Sequence, residues 1–205
     1  MKKYLRTFSV IAAVSAIALT GCMGKIKYPT YYTLNLAPAI DPPPASGELA
    51  SIAVREFQAP AYLREGPVVY LISPEEIGFY EYHRWAVDPR QAITRAIVER
   101  LRASGNFALV KTYDGRNDVD YVLTGRLDKL DEVDYEGGVR VEVALSAQVT
   151  NLRTGKTVWA NAAAEKAKVE EHKVSAVVSQ MSNLTNRSID ELLKSLALPP
   201  STTKQ

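Results

Sequence analysis

Residues 139–152 alternate strictly. Val139, Val141, Val143, Leu145, Ala147 and Val149 fall on one parity, and Arg140, Glu142, Ala144, Ser146, Gln148 and Thr150 on the other. A period of two belongs to an extended strand with one buried and one wetter face. Residues 120–130 read as its partner across a turn at Glu136, Gly137 and Gly138, and Thr154-Gly155 turns the chain into a third long strand over 156–165. Shorter extended segments are expected over 31–36, 51–57, 67–72, 78–85 and 107–111 from their β-branched and aromatic content. The run PVVYLI at 67–72 is apolar enough for a central strand. Residues 37–48 hold four prolines and form an irregular connector.

Two segments switch to helical spacing. Asp88 can cap a helix, Pro89 fits its first position, and Gln91 stands where a capping-box acceptor belongs. Ile93, Ala96, Ile97 and Leu101 then make one apolar stripe, and Gly105 closes the helix. Over 172–196, Val174, Val177, Val178, Met181, Leu184, Ile189, Leu192 and Leu196 recur at near-helical spacing, until Pro199-Pro200 ends the run. The pattern is α+β, an α/β sandwich with a mostly antiparallel sheet of six or more strands and two main helices. No solenoid or propeller period recurs.

The N-terminus has a different grammar. Lys2, Lys3 and Arg6 precede an apolar run of 12 residues over 8–19, too short for a membrane span of ~20 residues but right for a signal peptide. Leu19-Thr20-Gly21-Cys22 then resembles the bacterial lipobox. That resemblance implies cleavage between Gly21 and Cys22, a diacylglyceryl thioether on the Cys22 sulfur, and acylation of the freed amine. Two or more acyl chains anchor stably, whereas one is marginal. The alternative is an ordinary signal peptide with an incidental cysteine, but the chain's single cysteine sits at the position that the processing requires. Met23 follows, in place of the aspartate that retains enteric-type lipoproteins in the inner membrane, which implies the outer membrane and its periplasmic face. The expected organisation is a signal peptide over 1–21, a lipidated end and tether over 22–30, one domain over 31–198, and a polar tail over 199–205. The tether spans at most roughly 25–30 Å.

Composition narrows the chemistry. With 205 residues, 46% hydrophobic and 23% charged, the chain is that of one globular domain. Without Lys2, Lys3 and Arg6, the basic residues fall from 25 to 22 against 23 acidic ones, which leaves no footprint for nucleic acid. One cysteine excludes a disulfide framework and a cysteine-only zinc site. His83 pairs in principle with Glu81 as a general base, but its aromatic neighbours read first as packing for a structural histidine. His172, in EEHK, reads as solvated, and two histidines 89 positions apart, with no third candidate clustered beside either, give a metal site little support. The carboxylate run over 128–136 lacks the glycine-spaced geometry of a calcium loop and reads as a solvated hairpin end. GxSxG, HExxH and a phosphate-cradling glycine loop are all absent. No catalytic residue, metal ligand or cofactor is expected, apart from the covalent lipid on Cys22.

What remains is surface. FYEYHRWA should place Phe79, Glu81, His83 and Trp85 on one face and Tyr80, Tyr82 and Arg84 on the other. Tyr, Trp and Arg anchor interfaces, so Tyr80, Tyr82, Arg84 and Trp85 are the candidate partner-binding residues, against the alternative that these faces are core and covered sheet.

The lipobox, YYTLNL, the stretch SIAVREFQAPAYLREGPVVYLISPEEIGFYEYHRWAVDP, and DVDYVLTGRLDKLDEVDYEGGVRVEVALSAQVTNLRTGKTVW occur in that order over most of 19–165. Together they resemble the PqiC-like auxiliary lipoproteins of ABC-type transport systems. The resemblance implies a fold like the TolB N-terminal domain and a non-enzymatic role. It also implies an MCE-domain protein of an inner-membrane ABC transporter as partner, docked so that lipids or other hydrophobic molecules pass between membranes. A homo-oligomer is expected by symmetry with ring-forming MCE proteins. The rival from another class is an outer-membrane assembly or secretion lipoprotein, a β-barrel plug, chaperone or pore component.

Overall fold

A computed structural model describes residues 27–36, 49–135 and 137–198. The signal peptide, Cys22, the proline-rich connector, Glu136 and the tail at 199–205 lie outside them. Among the described residues eight strands form one sheet: β1 (Thr30–Tyr32), β2 (Ser51–Val54), β3 (Pro67–Leu71), β4 (Ile77–Trp85), β5 (Leu109–Thr112), β6 (Tyr121–Val133), β7 (Arg140–Asn151) and β8 (Thr157–Lys168). Helix α1 (Pro89–Ala103) follows β4, α2 (Val174–Leu193) follows β8, and a 3-10 turn occupies Ala61–Arg64. The fold is α+β, and the sheet is mixed. Its long pairings, β3–β4, β6–β7 and β7–β8, are antiparallel, while β1–β4, β2–β5, β2–β6 and β3–β6 are short and parallel.

Strand β6 is the hub. One flank pairs with β7 from Tyr121↔Asn151 to Val133↔Arg140. The other flank is divided: β2 takes its start (Ile52↔Tyr121 to Val54↔Leu123) and β3 its end (Tyr70↔Glu132, Leu71↔Val133). Between them the chain crosses along β6. The Arg55 N–H donates to the Leu123 carbonyl (2.9 Å), the Gln58 N–H to that of Gly125 (3.0 Å), and the Leu127 N–H to that of Gln58 (2.8 Å). Phe57, within this crossing, is 1% exposed, and its ring lies flat over Gly125, where a Cβ would fall inside it. The Phe57 N–H is satisfied by the Thr94 hydroxyl of α1 at 3.0 Å.

Helix α1 starts as its residues dictate. Asp88 Oδ1 accepts from the Arg90 N–H at 2.9 Å, Pro89 opens the helix, and Gly105 takes φ 66° just past its end. The stripe Ile93, Ile97 and Leu101 joins Met181, Leu184, Ile189 and Leu192 of α2 and Val141, Val143, Leu145 and Val149 of β7 in one core. Fully burying each such side chain contributes roughly 1.5–3 kcal/mol, so this shared cluster ties both helices to the sheet. Arg100 of α1 also donates to Asp190 and Asn186 of α2, each at 2.7 Å.

Two expected strands are shorter. Of the expected 31–36 strand only Tyr31 and Tyr32 join the ladder, with Thr30 before them. Leu34 turns into the core (6% exposed), and the Asn35 N–H donates to the Ser182 hydroxyl of α2 at 3.0 Å. β2 ends at Val54 because the chain there begins its passage along β6. The expected strand over 120–130 runs on to Val133, so the solvated hairpin end expected at 128–136 holds at Lys129 and Asp134 but not between them: Asp131 and Glu132 are 2% and 4% exposed.

Gly125→Ala places a methyl group in the space of a ring that core packing holds fixed. It is expected to destabilise the fold by about 1–3 kcal/mol through overpacking. Urea titration would read this as a lower midpoint with an unchanged slope; an unchanged midpoint would show that Phe57 is free to shift.

Candidate interaction surface

The aromatic residues of β1, β3 and β4 form a row. The Tyr70 ring covers Gly78 and lies 4.7 Å from the Tyr80 ring; Tyr80 meets His83 edge-on at 5.6 Å. His83 stands 5.7 Å from the Tyr32 ring, with the Tyr32 hydroxyl 3.0 Å from its Nδ1. Strict alternation would separate Tyr80 from His83. The β3–β4 register shifts between Pro67 and Val69, and this irregularity lets residues three apart share a side. The two-face division expected for FYEYHRWA therefore fails at its centre.

Beside this row lie the two buried carboxylates. Adjacent on β6, Asp131 and Glu132 point to opposite sheet faces. Glu132 accepts from the Tyr80 hydroxyl at 3.1 Å, and Asp131 from the Tyr62 hydroxyl, on the 3-10 turn, at 3.4 Å. Among the described residues Glu132 Oε2 and Asp131 Oδ1 have no hydrogen-bond partner. Burial disfavours their charged forms. It pushes the Asp131 carboxyl up to about 6, against the Tyr62 hydrogen bond and the nearby Lys129 charge, and raises Glu132 in the same direction. The Tyr62 and Tyr80 phenols rise too, from burial first and then from the carboxylates they face.

The four partner-binding candidates fare differently. Trp85 is 8% exposed and belongs to the core, so its indole contributes packing instead of surface. Tyr80 is half-buried and engaged by Glu132. The Tyr82 ring lies under Lys27, whose Nζ is 5.5 Å from its centroid, and a hydrogen bond to Glu81 raises its phenol. Arg84 is half-buried, its guanidinium against Gly66. The structure brings His83 to Tyr32 and Tyr80, while Glu81 turns to Tyr82. His172 is exposed. Among the described residues no three His, Cys, Asp or Glu side chains are placed to hold a metal ion, and no helix is long and apolar enough to cross a membrane.

Sequence reading missed the carboxylate pair, although Leu130 and Val133 on either side carried the signal that the strand continues. It also missed an open groove of about 710 Å³ where the 55–58 crossing meets β6, β7 and β8. Gln58, Arg126, Ser146 and Gln148 give it polar walls, and the small side chains of Ala160 and Ala162 leave it room.

The raised carboxyls fix the sign of a pH dependence. The folded state binds protons more tightly than the unfolded chain, so this contribution to stability is present below about pH 4 and is lost as pH rises through about 6. Asp131→Asn is expected to raise stability at pH 8 by about 1–2 kcal/mol, to change it little at pH 4, and to flatten the decline between them. Urea midpoints at the two pH values test this, and an equal effect at both would refute it.

Comparison with known proteins supplies the family. The sequence matches the model of the ABC-type transport auxiliary lipoprotein component over residues 32–192. A search of curated proteins finds no match. Among solved structures, a Xanthomonas campestris protein of the DUF330 family superposes with a TM-score of 0.67 at 16% identity, covering 80% of this chain and 92% of its own. An uncharacterised protein gives 0.61 at 15% identity over 83% and 99%. A hypothetical protein from Chlamydia trachomatis gives 0.50 at 8% identity over 71% and 94%. At these identities the superpositions speak to the fold alone, whereas the sequence match spans strands, crossing and both helices. The chain belongs to the ABC-type transport auxiliary lipoprotein family.

Proposed function

We propose that this chain is lipidated at Cys22 and held on the periplasmic face of the outer membrane. There it serves as the non-catalytic attachment point for the MCE-domain protein of an inner-membrane ABC transporter that moves lipids or other hydrophobic molecules. The observation that carries this reading is the pairing of Leu19-Thr20-Gly21-Cys22 with a family match that begins ten residues later, at Tyr32. Met23 supports the outer membrane, since it stands where an inner-membrane retention signal would have aspartate. The alternation of β7 is consumed in the core, where Val141, Val143, Leu145 and Val149 are at most 1% exposed; this weighs against a segment that leaves the domain to line a pore.

Two experiments test the reading. Cys22→Ser is expected to shift the protein from the membrane to the soluble fraction and to abolish palmitate incorporation; retention with label would refute lipidation at Cys22. Crosslinking in cells followed by mass spectrometry is expected to recover an MCE-domain protein. Recovery of a β-barrel or secretion component, with no MCE protein at any crosslinker length, would transfer the chain to the assembly-lipoprotein class.

A further inference from the structure

The direction in which the chain enters the fold says which end of the domain faces the membrane. β1 runs parallel to the end of β4, with Thr30↔His83 and Tyr32↔Trp85. The residues before Thr30 therefore come from the direction of the start of β4, and Lys27 already lies over Tyr82. Cys22 precedes Lys27 by five residues, a reach of at most about 18 Å. That reach covers the stretch from Tyr82 back to Ile77, which is at most about 17 Å and is shortened by the register shift within it. A lipid on Cys22 thus draws the bilayer against the half of the molecule that holds the β3–β4 turn.

That turn carries an exposed apolar tip. Ile72 is 43%, Ile77 37% and Phe79 40% exposed, and Ile77 and Phe79 share a strand face. The tip is held in shape: the Ile72 N–H donates to the Glu76 carbonyl at 2.9 Å, and Leu71 pairs with Ile77. Large apolar side chains left exposed around one turn mark a contact. Glu75 and Glu76 in the same turn disfavour an anionic surface and leave a zwitterionic one.

We propose that Ile72, Ile77 and Phe79 lie in the headgroup region of the bilayer that holds Cys22, as a second contact that orients the domain. The proposal rests on the lipidation of Cys22. Acyl chains already supply the affinity, so the tip's part is to stop the domain from swivelling on its tether. With the tip down, β6 stands away from the membrane, and the starts of β5 and β8 are displayed about 40 Å from it, the length of β6.

The test uses the full-length lipoprotein, processed in cells and reconstituted in phosphatidylcholine–phosphatidylethanolamine vesicles. Nitroxide labels are placed through Ile77→Cys or Phe79→Cys, with Leu109→Cys and Val158→Cys as exposed controls at the other end; Ile72→Cys gives a further tip probe should a strand variant fail to fold. The thioether on Cys22 takes no label. Collisions with oxygen are expected to exceed those with a water-soluble nickel chelate at the tip, and the order to reverse at residues 109 and 158. Vesicle flotation with tip labels as wet as the controls would overturn the tip contact and leave the anchor. Tip labels shielded from both reagents would overturn it in favour of a protein surface, such as a second copy of this chain. Failure of the wild-type chain to float would overturn the Cys22 reading, and the tip contact with it.

Discussion

The ring of Phe57 on the bare backbone of Gly125 is the contact on which the sheet's arrangement depends. β6 has two neighbours on a single flank, and the chain that links them must pass along β6 without leaving a gap or an unpaired peptide. It does so by borrowing β6's own hydrogen bonds at Arg55 and Gln58, while Phe57 fills the space that a side chain at position 125 would otherwise occupy. The Thr94 hydroxyl completes the crossing from above and fixes α1 over it. Remove any one of these and β2 and β3 lose their common reference.

The long elements were legible because each carries one period over many residues. The alternation over 139–152 and the stripe from Ile93 to Leu101 leave little choice of structure. Legibility failed where tertiary partners override local pattern. Asn35 continues an extended run in sequence, yet α2 offers it Ser182 and Asn186, and the chain leaves the ladder to take them. FYEYHRWA alternates on paper, but a register shift set by β3 folds Tyr80 onto His83. Trp85 looks like an interface residue by type, and only the placement of β1 and the core behind it makes it packing. Asp131 and Glu132 look like solvent-facing charge because nothing local announces that Tyr62 and Tyr80, 69 and 52 residues away, will cover them.

The aromatic row and the carboxylates form one device. Tyr80 belongs to both: its ring sits between Tyr70, to which it is tilted, and His83, which it meets edge-on, and its hydroxyl donates to Glu132. A single hydrogen bond to a buried carboxylate leaves a second oxygen uncompensated, which explains why burial outweighs the tyrosine in setting the proton affinity. The same arrangement on the opposite face, with Tyr62 and Asp131, ties the 3-10 turn of the crossing to the far half of β6. Polar pairs here place loops on the sheet where apolar packing alone would leave their register open.

The parallel pairing of β1 with β4 also has a mechanical meaning. Any load on the chain upstream of Thr30 enters the fold through Thr30, Tyr31 and Tyr32 beside His83, Arg84 and Trp85. Because the chain before Thr30 continues alongside β4, with Lys27 over Tyr82, a pull along it acts along β1 and not across it, so its hydrogen bonds bear the force together instead of opening one by one. Behind them, Leu34 in the core and Asn35 between Ser182 and Asn186 form a second catch on α2. A three-residue strand at the edge of a sheet thereby works as a shear joint: weak if peeled, firm if drawn along its axis.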